Sequence, residues 1–100
     1  MEMNISKVKT YIGFAIKSRQ IKYGVDDILK LKHASLILIS DALAESAFKK
    51  LKGYALNKST DCVIFTSDEF NELIQNTSIK AAAILDSNLA DAIKKNLAKV

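Results

Sequence analysis

The sequence predicts an α/β fold, with helices covering both faces of one sheet. Three runs rich in β-favouring apolar residues, SLILIS, DCVIFT and IKAAAILD, show no polar alternation, as expected of strands buried on both faces. Stretches with helical spacing of apolar residues separate them. Strands alternating with helices point to a sheet sandwiched between helices, and 100 residues suit one domain over residues 1–100.

The elements follow in order. From Asn4 to Ser18, Ile5, Val8, Ile12, Ala15 and Ile16 recur at helical spacing, with Asn4 as the expected N-cap. Gly13 lies inside this helix, where glycine costs about 1 kcal/mol relative to alanine, so close helix–sheet packing is the expected reason for it. QIKYG is too short for a helix. It reads as a short edge strand ending at Gly24, with Ile21 and Tyr23 on one face and Lys22 on the other. VDDILKLKH reads as a helix with Val25, Ile28, Leu29 and Leu31 inward. Asp26 and Asp27 fall in its first turn, and Lys30, Lys32 and His33 toward its end, the signs that complement a helix dipole.

SLILIS then forms the first buried strand. DALAESAFKKLKGYALN follows as a helix, with Leu43, Ala47, Leu51 and Tyr54 inward and Lys49, Lys50 and Lys52 outward. DCVIFT is the second buried strand, SDEFNELIQ a short helix capped by Ser67, and IKAAAILD the third buried strand. NLADAIKKNLAKV closes the chain as a helix capped from Ser87 or Asn88. No repeat, linker or low-complexity tract interrupts this order.

Composition narrows the function classes. The chain is 49% hydrophobic and 26% charged, which fits a folded globular domain. No apolar run approaches the ~20 residues needed to cross a bilayer. The N-terminal stretch, with an early acid and interspersed lysines, does not read as a signal peptide. A lone Cys62 cannot form an internal disulfide, so a cytoplasmic location is expected. The net charge of +4 is uneven: residues 1–33 carry +4, residues 34–60 carry +2 and residues 61–100 carry −2. A basic face of this kind suits RNA or DNA, although lysine-rich solvated helices also produce it.

Catalytic and metal chemistry lack their usual parts. His33 is the only histidine and Cys62 the only cysteine, so no zinc set is expected. Cys62 reads as a small core hydrophobe. The three glycines are isolated, which leaves no phosphate-binding loop. Asp26 and Asp27 point about 100° apart on a helix, a poor geometry for paired carboxylates. Ser40 and Asp41 follow the first buried strand, where α/β ligands often bind, but a turn and the N-cap of the next helix is the favoured reading of the pair. No catalytic residue, metal or cofactor is expected, and no small-molecule substrate.

A resemblance sharpens the reading. Gly13, Phe14, Ala15, Lys17, Ser18, Arg19, Ile21 and Gly24, then ASLILISDA and IKAAAILDSNLADAI, together resemble the ribosomal large-subunit L-seven-Ae / L-thirty-e family. The nearest pattern is that of its bacterial YlxQ-like branch, and the resemblance spans nearly the whole chain. It implies a three-layer α/β/α sandwich with a mixed four-stranded sheet, and recognition of kinked RNA without catalysis. In the RNA-binding members the second helix opens with G-x-N-E-x-x-K. Gly24 and Lys30 match the glycine and lysine here, Asp26 stands at the asparagine and Asp27 at the glutamate.

Lys22 and Lys30 are then expected to meet phosphates, and Asp27 to accept from guanine N–H groups. Asp26 offers only acceptors where asparagine offers both donor and acceptor. It reads equally as a base contact and as a first-turn acid favoured by the helix dipole. The family's second contact region is the loop Asn76, Thr77, Ser78 and Ile79, which here is polar and carries no arginine. The turn from Ser40 to Leu43 borders the same face, and the family often has an acid where Leu43 stands. The implied partner is structured RNA of the kink-turn type, ribosomal RNA included, bound by a monomer away from membranes. The alternative is a member without kink-turn affinity that serves as a ribosome- or transcription-linked protein–protein module. No aromatic platform is evident on the basic face, so base stacking on single strands is not the expected mode.

Overall fold

The computed structural model describes residues 4–97. The early acid Glu2 and the end of the last helix, expected to reach Val100, lie outside the described residues. Element order is α1 (Ile5–Lys17), β1 (Ile21–Tyr23), α2 (Val25–Leu29), β2 (Leu36–Ser40), α3 (Glu45–Lys58), β3 (Asp61–Phe65), α4 (Ser67–Ile74), β4 (Ala81–Ile84) and α5 (Ser87–Leu97). This is the alternation expected from the sequence.

The four strands form one mixed sheet in the order β1-β4-β2-β3. β4 runs antiparallel to both β1 and β2, while β2 and β3 are parallel. Side chains of β2 and β4 alternate strictly between two cores. Leu36, Leu38, Ala82 and Ile84 meet Val8, Ile12, Phe70 and Ile93 on the α1, α4 and α5 side. Ile37, Ile39, Ala81 and Ala83 meet Ile28, Leu51 and Ala55 on the α2 and α3 side. A strand covered on both faces favours apolar residues on both, and all of β2 and β4 is buried, with Ser40 at the end of β2 the one polar residue among them. The result is a three-layer α/β/α sandwich.

β3 departs from expectation. It lies at a sheet edge, with Asp61 exposed and Ile64 55% exposed, so DCVIFT is not a strand buried on both faces. Apolar content could not place it, because strand order is set by long-range pairing. Cys62 is half-buried accordingly. Burial pushes its thiol up, with Asp61 adding to the rise and Lys52 opposing it. β1 occupies the opposite edge, as expected, with Ile21 and Tyr23 on the α1 side and Lys22 exposed.

Several helix boundaries also move. α2 is only five residues long, so Lys30 is its C-cap and Lys32 and His33 lie beyond it. Leu31 packs from the following turn, and Tyr54 O–H donates to its carbonyl at 2.8 Å, tying α3 to that turn. α3 begins at Glu45 and not near Asp41, which leaves Leu43 half-buried in the preceding turn. Ile16 faces solvent. A Cβ added at Gly13 meets nothing within 4 Å, so close packing is not what that glycine serves.

Side-chain caps fix the starts of three other helices. Asn4 Oδ1 accepts from the Lys7 N–H at 3.2 Å, the expected N-cap of α1. The cap of α4 is Thr66, not Ser67, because Thr66 and Glu69 close a reciprocal capping box. At α5, Asp86 Oδ1 accepts from the N–H groups of Asn88 at 2.7 Å and Leu89 at 3.2 Å, displacing both Ser87 and Asn88 from that role. Without proline and with few glycines, α3 and α4 end on left-handed Ser59 and Gln75.

Removing the Asp86 carboxylate tests this cap. Asp86→Ala should lower unfolding stability by about 1 kcal/mol, and Ser87→Ala by clearly less. Equal losses in denaturant melts would place the cap elsewhere.

Candidate nucleic-acid interface

The sheet order brings two segments far apart in sequence to one end of the molecule. β4 enters between β1 and β2, and the chain just before it is held on both sides. Gly24 N–H donates to the Ala81 carbonyl at 3.0 Å, and Ser40 N–H donates to the Lys80 carbonyl at 2.9 Å. A shallow hollow of about 390 Å³ opens there, lined by Tyr23, Gly24, Val25, Leu43, Ser78, Ile79, Lys80 and Ala81.

Of the nine residues singled out from the sequence, Gly24, Ser78 and Ile79 line this hollow. Lys22, Asp26, Asp27 and Lys30 are exposed on the flanking β1–α2 segment, and Asn76 and Thr77 are exposed on the loop before β4. Lys22 pairs in register with Ala83, whose side chain packs on the α2 and α3 side, so Lys22 shares the face that α2 covers. Among the described residues, Lys22 and Lys30 form no ion pair, unlike Lys49 and Lys94. Their charges remain solvated and available to an anionic partner.

Gly24 is the pivot of this arrangement. It stands at the N-cap of α2 with φ 88° and ψ 145°, a conformation that glycine adopts at little cost and that strains other residues. Its Cβ position is open, with nothing within 4 Å. The glycine therefore satisfies a backbone requirement and leaves the surface above it clear. Having no side chain, it also leaves α2 without the side-chain cap that α1, α4 and α5 possess.

The loop is organised by its own polar groups. Asn76 Oδ1 accepts from the Ser78 N–H at 3.0 Å and from the Ser78 hydroxyl at 2.7 Å. Ile79 N–H donates to the Asn76 carbonyl at 3.3 Å, and Lys80 Nζ donates to the Thr77 carbonyl at 2.9 Å. Ile79 is half-buried against the α1-side core, which anchors the loop. Asn76 is thus a turn former whose Oδ1 is engaged twice by Ser78, and Asn76, Thr77 and Ser78 all stand at the surface. Lys80 escaped the sequence reading, although a lysine directly after the loop was the available signal. It supplies positive charge to a loop that has no arginine. Leu43, placed by the sequence only at the border of this face, lines the hollow itself.

Ser40 and Asp41 have structural tasks. Ser40 is buried, and its Oγ accepts from the Ala42 N–H at 3.1 Å. Asp41 Oδ1 accepts from the Ser67 N–H at 3.0 Å, which ties the β2–α3 turn to the start of α4 and does not cap α3. A second hollow of about 370 Å³ lies beside them, with Leu43, Phe48 and Ile64 in its lining. Leu43 joins the two hollows.

Neither a family model nor a curated protein matches this chain. Solved structures do match it. A Bacillus halodurans protein of unknown function aligns with a TM-score of 0.79 at 15% identity, covering 89% of this chain and 94% of that one. A Giardia lamblia 15.5-kDa RNA-binding protein aligns with a TM-score of 0.71 at 16% identity, covering 96% of this chain and 90% of that one. Both share the fold over nearly their full lengths.

The two glycines provide a contrast. Gly24→Ala should cost about 1–3 kcal/mol, the strain of a side chain at that φ and ψ. Gly13→Ala, in an open helix interior, should raise stability by up to about 1 kcal/mol. Loss of stability at Gly13, or none at Gly24, would contradict this account.

Proposed function

We propose that this protein is a non-catalytic RNA-binding module that recognises structured RNA of the kink-turn type. The observation that carries the proposal is the meeting of Gly24 with Ser78, Ile79 and Lys80 across one hollow. The motif resemblance assigns RNA contact to those two segments on sequence grounds, and the fold makes them one surface. The similarity in fold to an RNA-binding protein supports the same direction.

The chemistry is of two kinds. Lys22, Lys30 and Lys80 suit phosphates, which position the nucleic acid. The uncapped start of α2, with Asp26 and Asp27 exposed beside it, faces base edges. Asp27 accepts hydrogen bonds from guanine N–H groups in the role that glutamate fills in the family motif. Asp26 has no donor to offer and sets a negative charge near phosphates, so it weakens the standard contact. Ile79 and Leu43 provide an apolar floor. Ribosomal RNA is the natural source of such a fold in the cytoplasm, with the protein acting as a monomer.

One observation favours a second reading, a ribosome- or transcription-linked protein–protein module. The neighbouring hollow is walled by Leu43, Phe48 and the exposed Ile64, a surface better matched to an apolar side chain than to phosphate.

Titration with a kink-turn RNA and a straight duplex of equal length distinguishes the two. The RNA reading predicts a clear preference for the kinked RNA, falling steeply with salt. Lys30→Ala should weaken binding and lower the salt slope by about one. Asp26→Asn should tighten it. Equal binding of both RNAs would sink the kink-turn assignment, and an unchanged Lys30→Ala affinity would mean that the interface lies elsewhere. Unchanged affinity in Asp26→Asn would leave Asp26 a purely helical role.

A further inference from the structure

The outward face of α1 combines charge and an aromatic surface in a way the proposed interface does not use. Lys7, Thr10, Phe14 and Lys17 fall on one stripe of the helix, and all four are exposed. Phe14 is 50% exposed and meets the Tyr11 ring edge-on at 6.2 Å between centroids. That contact holds one side of the Phe14 ring in place and leaves the rest to solvent. Thr10 Oγ1 donates to the Ser6 carbonyl at 3.0 Å, and Ser18 Oγ donates to the Phe14 carbonyl at 2.8 Å. The hydroxyls on this stripe are therefore turned back onto the helix.

The charge is one-sided. Residues 5–19 contain Lys7, Lys9, Lys17 and Arg19 and no acid, a positive charge equal to the whole chain's net +4. Asp68 and Glu72 are exposed on the adjacent α4, yet among the described residues none of the α1 lysines, nor Arg19, is in an ion pair. Packing does not explain the exposed ring, because the buried stripe of α1 is Val8, Ile12 and Ala15.

We infer that this face is a second nucleic-acid contact, which takes unpaired nucleotides by stacking a base on Phe14 and pairing flanking phosphates with Lys7 and Lys17. A polyanion complements the uncompensated charge, and every base has a flat π-face that a half-exposed phenyl ring can accept. α1 belongs to the layer on the far side of the sheet from α2, so this contact is separate from the Gly24 hollow. It would hold single-stranded segments that flank a folded RNA element, and it does not depend on the function proposed above.

Titration with a single-stranded oligouridylate of about ten nucleotides at low salt tests it. Wild-type protein should bind, and Phe14→Ala should weaken binding by about tenfold. Phe14→Leu, which keeps apolar bulk without the ring, should weaken it similarly, whereas Phe14→Trp should retain it. Lys7→Gln with Lys17→Gln should weaken binding and flatten its salt dependence, and Lys50→Gln, on the exposed side of α3, should leave it unchanged. No wild-type binding, wild-type affinity in Phe14→Ala or Phe14→Leu, or equal loss in Lys50→Gln would overturn the inference. So would polyglutamate that competes as strongly as the oligonucleotide, since the face would then be a site for acidic protein. Oligouridylate binding by a protein with no preference for kinked RNA would sink the earlier proposal and support this one.

Discussion

The insertion of β4 between β1 and β2 is the constraint on which the rest of the structure depends. β4 is the last strand in sequence, yet it supplies backbone partners to both neighbours along its whole length. Its Ala81, Ala82 and Ala83 bring little side-chain bulk, so helical layers on both faces can close over it. Its antiparallel sense sends the preceding loop to the end of the sheet where β1 finishes and α2 begins. The hydrogen bonds from Gly24 to Ala81 and from Ser40 to Lys80 fix that loop against both flanking turns. A surface assembled from residues 22–30 and 76–80 is the direct consequence of this pairing.

Much of the fold was legible because local pattern and burial agree. The unbroken apolar runs of β2 and β4 mark strands enclosed on both faces, and both are central. The single inward–outward alternation of Ile21, Lys22 and Tyr23 marks an edge, and β1 is one. DCVIF failed as evidence of enclosure because its second neighbour is solvent, a fact set by strand order and not by its own residues. Helix ends were the least legible part. Side-chain caps are chosen by which carboxylate or hydroxyl reaches an amide, and Asp86 reaches two where Ser87 reaches none. The five-residue α2 could not be read from VDDILKLKH, whose helical periodicity continues past the point where the chain turns toward β2.

The candidate site shows the same division. Gly24 was recognisable from motif spacing, and its positive φ supplies the physical reason for glycine there. Ser78 and Ile79 were placed by order along the chain. Their approach to Gly24 was not legible, because it rests on pairing between residues some sixty positions apart. Lys80 and Leu43 complete the lining for the same reason. The aromatic pair on α1 went unnoticed because Tyr11 and Phe14 carry hydrophobic identities, and only the fold shows that one of them faces solvent.

The hollow between Gly24 and the loop before β4 is the proposed docking place of folded RNA. Amide hydrogen exchange, recorded free and with a kinked RNA that has no single-stranded tail, tests that place directly. The account predicts slowed exchange at Gly24–Lys30 and Asn76–Lys80, with α1 and β3 unchanged. Protection confined to the β3 edge or to α1, with none at Gly24 or the loop, would contradict it.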